Sequence, residues 1–437
     1  MRLSGWGRFP RADCRVEAVR DLADAVAAVA AAGPGGLIAR GAGRAYGDAA
    51  LNAHGVLAMA RADRMLAFDA ETGVLEAEAG VMLRDVVATF APRGWFPPVT
   101  PGTQFVTLGG MAACDVHGKN HHGAGSVARH ILWLDLLLAN GAVMRCSPEH
   151  DTELFAATCG GMGLTGVILR LALRLIPIET GWVRQTTVAA PNLDAAMQTF
   201  EANCAATYSV AWIDCLASGP DLGRSLVYLG EHARAGEIGE RPLAGPPPRH
   251  RRTVPVDLPG FTLNRLSVAA FNAAYYAHAT PGEALVDLQT YFYPLDAIRD
   301  WNRIYGPSGF LQHQSVLPPE SAREGLRALL TRIADRGAGS FLAVLKLLGE
   351  AAGPLSFPRP GYTLALDFPA TAANFSLLVE LDAVVADHGG RLYLAKDARA
   401  GVSTLRGYER LADFRAVRDR VDPARRFRSL QSERLGL

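Results

Sequence analysis

Between Cys114 and Gly123 the chain reads Cys-Asp-Val-His-Gly-Lys-Asn-His-His-Gly, which sets three imidazoles and an ammonium within six positions. Histidines at 117, 121 and 122 raise the question of a metal. The surrounding glycines supply no rigid helix to fix ligand geometry, and only Asp115 offers a further ligand, so no metal site is expected. Upstream, Gly102 and the run Thr107-Leu108-Gly109-Gly110 alternate glycines with small hydroxyl residues. A third glycine-rich bend, Cys159-Gly160-Gly161-Met162-Gly163-Leu164-Thr165-Gly166, leads into an apolar stretch.

The earliest such segment is Ala39-Arg40-Gly41-Ala42-Gly43-Arg44-Ala45-Tyr46-Gly47-Asp48-Ala49. Glycines let the backbone turn with φ of either sign, so that successive N–H groups converge on a diphosphate. The spacing is G-x-G-x-x-x-G, and no amphipathic period follows to provide the helix N-terminus that a Rossmann loop needs. Separated glycine bends, each between short strands, instead suit one extended ligand wrapped by several loops. FAD is such a ligand, because its diphosphate, adenine and ring system need separate cradles.

These segments resemble those of the vanillyl-alcohol-oxidase flavoprotein superfamily with its PCMH-type FAD-binding fold. More narrowly they are similar to the decaprenylphosphoryl-ribose oxidases, flavoprotein halves of an epimerase that makes the arabinose donor of certain bacterial cell envelopes. The resemblance covers nearly the whole chain, from Gly5-Trp6-Gly7-Arg8 to Leu392-Tyr393 and Ala395-Lys396-Asp397. It includes Trp301-Asn302-Arg303, Tyr305-Gly306-Pro307, Phe310-Leu311-Gln312 and Pro354-Leu355-Ser356-Phe357-Pro358. The run His117 to His122 is its most specific element. The resemblance implies that Ala39 to Ala49, Gly102, Thr107, Leu108, Gly109, Gly110, Cys114, Asp115, Val116, His117, Val167 and Tyr393 line the FAD site. Some relatives attach the flavin through a histidine in the first glycine loop; Tyr46 in that loop implies dissociable, non-covalent FAD. On the substrate side it implies Lys119, Trp212, Gln312, Gln314, Lys346 and Lys396, together with Thr363 and Ala365. At the last two, better-known members carry asparagine and a cysteine that faces the flavin. Lys346, in Val344-Leu345-Lys346-Leu347-Leu348, also reads as the solvent-facing position of a strand.

The chemistry implied is hydride transfer from a sugar carbon to the flavin, chiefly from C2 of a polyprenyl-phosphoryl ribofuranose, as the first half of an epimerisation completed by a partner keto-reductase. Lys396, a cation beside the ring, would stabilise its anionic reduced form. A base must take the hydroxyl proton, with His117 and Tyr46 the candidates. Two alternatives stand beside this: oxidation of a soluble alditol, aldonolactone or nucleoside sugar, and a flavin-binding scaffold without turnover.

The elements that must position these residues follow from periodicity. Val16 to Ala32 reads as an amphipathic helix and Leu37 to Ala39 as a short buried strand. Met65 to Phe68 and Val74 to Ala79 read as a hairpin, Val167 to Ile178 as a strand, and Thr404 to Val421 as a helix. Ile131 to Ala139 and Ala142 to Cys146 flank Asn140-Gly141, a dipeptide suited to a type I′ turn. This is an α+β rhythm rather than a βαβ one. The 437 residues predict two domains: residues 1–178 with 391–437 for FAD, and 179–390 for substrate, on an antiparallel sheet. Arg241 to Pro259, with three consecutive prolines, reads as a mobile surface loop.

A formal net charge of +1 gives no footprint for wrapping nucleic acid. Six scattered cysteines with no C-x-x-C pair fit a reducing compartment. Met1 to Arg15 is too polar for a signal peptide, and Gly166 to Ile178, interrupted by Arg170 and Arg174, is too short to span a bilayer. A cytoplasmic protein, at most peripheral to a membrane surface, is expected.

Overall fold

The computed structural model describes residues 1–246, 252–350 and 352–437. A small parallel sheet of Val16–Ala18, Ile38–Arg40 and Val56–Ala58 carries the start of the first glycine loop. Beside it a five-stranded antiparallel sheet runs in the order Val143–Cys146, Ile131–Leu137, Val167–Arg174, Val74–Glu78, Met65–Asp69. Leu75, Ala77, Leu134, Leu136 and Leu171 from this sheet share one buried core with Tyr393, Leu394 and Phe414 from the C-terminal part of the chain.

The second half of the fold is an eight-stranded antiparallel sheet. Its order is Gly282–Asp287, Trp182–Ala190, Ser225–His232, Tyr208–Ile213, Ala343–Leu348, Gly361–Pro369, Phe310–Leu317, Arg391–Leu392. The last strand pairs Leu392 with Ser315, so the chain is still part of this sheet at 391 and leaves it after Leu392. Strand residues alternate between faces. Tyr362, Leu364, Leu366 and Phe368 point to one side, where they share a core with Leu326, Leu329, Leu377 and Leu381 of the helices Pro319–Arg336 and Ala372–Asp387. The intervening Thr363, Ala365 and Asp367 take the other face.

Several local expectations need correction. Val16–Ala18 is a strand, and the helix covers only Leu22–Ala30. Asp21 caps it by accepting from Asp24 N, which is why the helix starts there. The 131–146 hairpin does form, but only Gly141 of Asn140-Gly141 has positive φ, at 86°. Gly141 N bonds Leu138 O at 3.0 Å and Leu138 N bonds Ala142 O at 2.9 Å, a longer loop closed by one left-handed glycine rather than a type I′ turn. The strand from Val167 stops at Arg174, and Ile176–Pro177 pairs with Trp95–Phe96 instead. The 404–421 helix is a 3₁₀ turn at Val402–Gly407 and an α-helix at Leu411–Val421, separated at Tyr408, whose hydroxyl bonds Leu392 O at 2.6 Å.

Part of the Arg241–Pro259 loop lies outside the described residues. Its last part is tied down: Arg252–Thr253 pairs with Ile298–Arg299, and Asp257 accepts from Arg8 at 2.7 and 2.9 Å and from Arg303 at 3.1 Å. No described helix is long and apolar enough to cross a membrane.

Candidate active site

The first glycine loop is held by backbone contacts from both ends of the chain. Trp6 N bonds Ala45 O, Gly7 N bonds Tyr46 O, and Tyr46 N bonds Ala395 O, at 2.8 to 3.0 Å. A side chain at Gly41 would put Cβ 2.1 Å from the Thr107 hydroxyl, and one at Gly47 would put it 2.1 Å from Asp397 O. Glycine is required because three segments close on one another here. Asp48 spends both carboxylate oxygens on Arg434, at 2.7 and 3.1 Å. Arg40 donates to Ser4 O at 2.7 Å, and the Arg44 guanidinium lies 3.9 Å over the Trp6 ring. For Arg40, Asp48 and Ala49, what is free to meet a cofactor is backbone.

The second segment enters a short helix, Leu108–Ala113, capped by Thr107, whose hydroxyl accepts from Gly110 N at 3.2 Å. Leu108 and Val167 are core side chains. Asp115 is fully buried with φ 41°; it accepts from Ala128 N at 3.2 Å and from the Ser356 hydroxyl. Cys114 O accepts the Tyr393 hydroxyl at 2.9 Å. Tyr393 stacks on Phe357, ring centres 4.6 Å apart, and His117 lies 5.2 Å from Tyr393. Gly102 is exposed with open space beside it.

The substrate-side residues meet this segment from the opposite sheet face. Register pairs Gln314 with Ala365, Ala365 with Val344, and Val344 with Trp212 across four strands. One row along, Thr363 pairs with Lys346, and Gln312 pairs with Asp367. Directly paired residues project to the same side, so six expected substrate residues share one face. Gln312, Val344, Lys346 and Ala365 are half-buried there, whereas Leu345, Leu364 and Leu366 on the other side are fully buried.

Two contacts join this face to the His-rich segment. The Gln314 amide nitrogen lies 3.0 Å from His117 Nε2 and 3.2 Å from the Thr363 hydroxyl. Its two hydrogens serve both, so His117 Nε2 accepts and Nδ1 carries the proton. Burial and the nearby Lys346 charge hold His117 well below the usual histidine range, and so neutral. Lys119 donates to Tyr291 O and sits 4.3 Å over the Tyr291 ring; burial pulls its ammonium down to about 7. His121 accepts from Gly349 N at 2.9 Å and is pushed down to about 3 by burial, while His122 Nε2 is 2.8 Å from Ala206 O. These two imidazoles clamp backbone. Among the described residues no cluster has the composition of a metal site.

Lys396 sits 3.7 Å over the Tyr46 ring. Burial lowers its pKa and Asp367 opposes that shift; burial likewise raises Asp367. Asp367 was not singled out from the sequence, although strand alternation from Thr363 and Ala365 puts it on the same face. Its Oδ1 accepts from Gln312 Nε2 at 2.6 Å, and its buried Oδ2 has no hydrogen-bond partner.

The site fits an FAD ring. His117 Nδ1 and Asp367 Oδ2 are buried polar atoms that the protein leaves without a partner, a costly arrangement unless a ligand supplies one. The face between them carries a lysine and two amides, suited to a polar heterocycle and a polyhydroxylated substrate.

Comparison with known proteins agrees. Residues 10–147 match the FAD binding domain family. The whole chain aligns at 38 % identity with 97 % of decaprenylphosphoryl-beta-D-ribose oxidase of Mycolicibacterium smegmatis. L-gulonolactone oxidase of Bos taurus is 29 % identical over 37 % of this chain and 37 % of its own. Cytokinin dehydrogenase 4 of Arabidopsis thaliana is 30 % identical over 36 % of this chain and 30 % of its own. The α+β fold with a PCMH-type FAD-binding unit, expected from the sequence, is borne out.

Proposed function

The chain belongs to the family of FAD-dependent oxidoreductases that includes decaprenylphosphoryl-β-D-ribose oxidase, and from that premise we propose that it oxidises C2 of a polyprenyl-phosphoryl ribofuranose to the 2-keto sugar. The observation that carries this reading is the sheet face bearing Gln312, Gln314, Lys346, Thr363, Ala365 and Asp367, turned toward His117 and Lys396. Bound FAD supplies the hydride acceptor. Lys396, held by the Tyr46 ring, stabilises negative charge developing on that acceptor. Tyr46 is a clamp in this scheme rather than the base, since burial raises its phenol well above the usual range. His117 already accepts the Gln314 amide and orients it. The hydroxyl proton therefore passes to the unpartnered Oδ2 of Asp367. Lys119 and Lys346, the latter lowered to about 8 by burial, meet the phosphate.

Tyr46 stands where some relatives tether flavin through histidine, so FAD is held without a covalent bond. A separate reductase, delivering hydride to the opposite face of the ketone, completes the epimerisation. The protein works in the cytoplasm at the membrane surface, where its lipid-linked substrate resides. The test is anaerobic mixing of the FAD-loaded protein with prenyl-phosphoryl ribose and with soluble alditols, aldonolactones and nucleosides. Bleaching of the flavin absorbance by the prenyl-linked sugar is the expected result. Bleaching by a soluble sugar alone would replace the substrate class, and no bleaching by any would favour a scaffold.

A further inference from the structure

The helix Arg265–Ala277 is unusual for a surface element. Its sequence, Arg-Leu-Ser-Val-Ala-Ala-Phe-Asn-Ala-Ala-Tyr-Tyr-Ala, carries one charge, yet only Val268 and Asn272 are buried. Leu266 is 81 % exposed, and Phe261, in the turn before the helix, is 77 % exposed. Ile298, paired with Arg252, and Val256, three residues beyond that pairing, are also exposed. An exposed helix normally presents charge to water, and large apolar side chains grouped in this way mark a contact surface.

The charge around this patch is net positive. From Leu258 to Gly282 there is no acidic residue, while Arg252, Arg265 and Arg299 are exposed. Asp257, at the edge of the patch, is neutralised by Arg8 and Arg303. Apolar side chains flanked by three exposed arginines, against the one exposed carboxylate of Asp300, complement the interface of an anionic bilayer. The far end of the helix reaches the substrate face: Phe271 stacks on Tyr275 at 5.8 Å, and Tyr275 lies 4.7 Å from the Trp212 ring. Trp212 shares the cross-strand row of Val344, Ala365 and Gln314. A helix of this length spans about 20 Å, so one end can sit on lipid while the other borders the site.

We propose that Phe261, Leu266 and the surrounding arginines form a docking surface for an anionic membrane, with the Arg265–Ala277 helix leading from the bilayer to the substrate face. The assignment deepens the reading of the substrate as lipid-linked and rests on it for its purpose, but the docking itself is measured separately. The experiment is flotation of the FAD-loaded full chain with phosphatidylcholine vesicles, with and without phosphatidylglycerol. Wild type should float with the phosphatidylglycerol vesicles, and less so as salt screens the arginines. Each apolar anchor contributes roughly tenfold or more to partitioning, so Phe261→Ser with Leu266→Gln should lower it by about a hundredfold. Arg252→Glu should give a smaller loss, of roughly fivefold or more.

Flavin reduction by a short-chain, soluble prenyl-phosphoryl ribose should be unchanged in both variants. Flotation that survives the double substitution would overturn the proposal. So would a wild type that stays unbound and whose dimer dissociates on that substitution, which would assign the patch to a second copy. If wild type floats as expected but no prenyl-linked sugar reduces the flavin, the docking stands and the substrate reading fails.

Discussion

The two faces of the Gly361–Pro369 strand are built from alternate residues of one nine-residue segment, and they do different work. Leu364, Leu366 and Phe368 are fully buried against two helices. Thr363, Ala365 and Asp367 face the His-rich segment, where side chains are hydrogen-bonded in part and one carboxylate oxygen has no partner. The helix side is saturated with apolar contacts and holds the sheet. The other side leaves buried polar groups unsatisfied, a state that costs stability unless a ligand completes it. Strand geometry thus separates the residues that make the fold from those that make the site, with a spacing of one residue.

The largest effects should come from the unsatisfied side. Asp367→Asn should slow flavin reduction by about 10²- to 10⁴-fold, the range for loss of a general base. Burial raises the Asp367 pKa, so its carboxyl is protonated and idle at low pH and the wild-type rate should rise as pH increases through that value. The asparagine variant should lose this acidic limb. Lys396→Met should keep FAD bound and slow reduction by roughly 10²- to 10³-fold, as removal of a preorganised charge-stabilising donor does. Stopped-flow reduction across pH measures both. A variant with wild-type rate and an intact acidic limb would return the base to His117 and break the functional half of the comparison.

A smaller effect on turnover, but a large one on stability, should follow from the neighbouring position on the other face. Leu364→Ala removes a fully buried side chain from the helix-facing core and should cost about 2–5 kcal/mol of unfolding free energy. Denaturant unfolding reads this directly. The reduction rate of the folded fraction should change little, since Leu364 faces away from Lys396 and Asp367. A slowed reaction with unchanged stability would show that the two faces are not separable.

The sequence made part of this division legible. The glycine bends and the His117–His122 run marked the cofactor side, and the resemblance put Gln312, Gln314, Lys346, Thr363 and Ala365 on the substrate side. Lys346 illustrates the limit. Period alone allowed a solvent-facing reading, and only its pairing with Thr363 places it opposite the site residues. Asp367 was within reach, two residues beyond Ala365, but nothing local distinguishes it from an ordinary surface aspartate. The locks on the first loop were out of reach, because Asp48 and Arg434 are 386 residues apart. Such contacts depend on how two sheets and the C-terminal segment meet, which no local pattern encodes. The Val16–Ala18 strand was missed for a similar reason: its parallel partner Val56–Ala58 lies far along the chain.

The smallest expected effect is none at all, and it tests the site-facing wall at Ala365. The resemblance implies, at this position of better-known relatives, a cysteine facing the flavin that captures nitroaromatic inhibitors, once reduced there, as covalent adducts. Capture requires a thiolate within bonding distance of the electrophile. Ala365, paired with Gln314 and Val344, offers no nucleophile. Cys114 lies on the segment that the resemblance gives to the cofactor, and burial pushes its thiol up to about 12, so it stays protonated at working pH. Its carbonyl, bonded to the Tyr393 hydroxyl, ties it to the cofactor segment rather than to the substrate wall. A nitroaromatic that binds and is reduced should therefore leave the intact mass of the protein unchanged and inhibit reversibly. Ala365→Cys should restore a single adduct, mapped to residue 365, because strand register already turns that side chain toward the site. An adduct on the unmodified protein at any cysteine, or none on the Ala365→Cys variant, would mean that this strand presents a different face to the flavin.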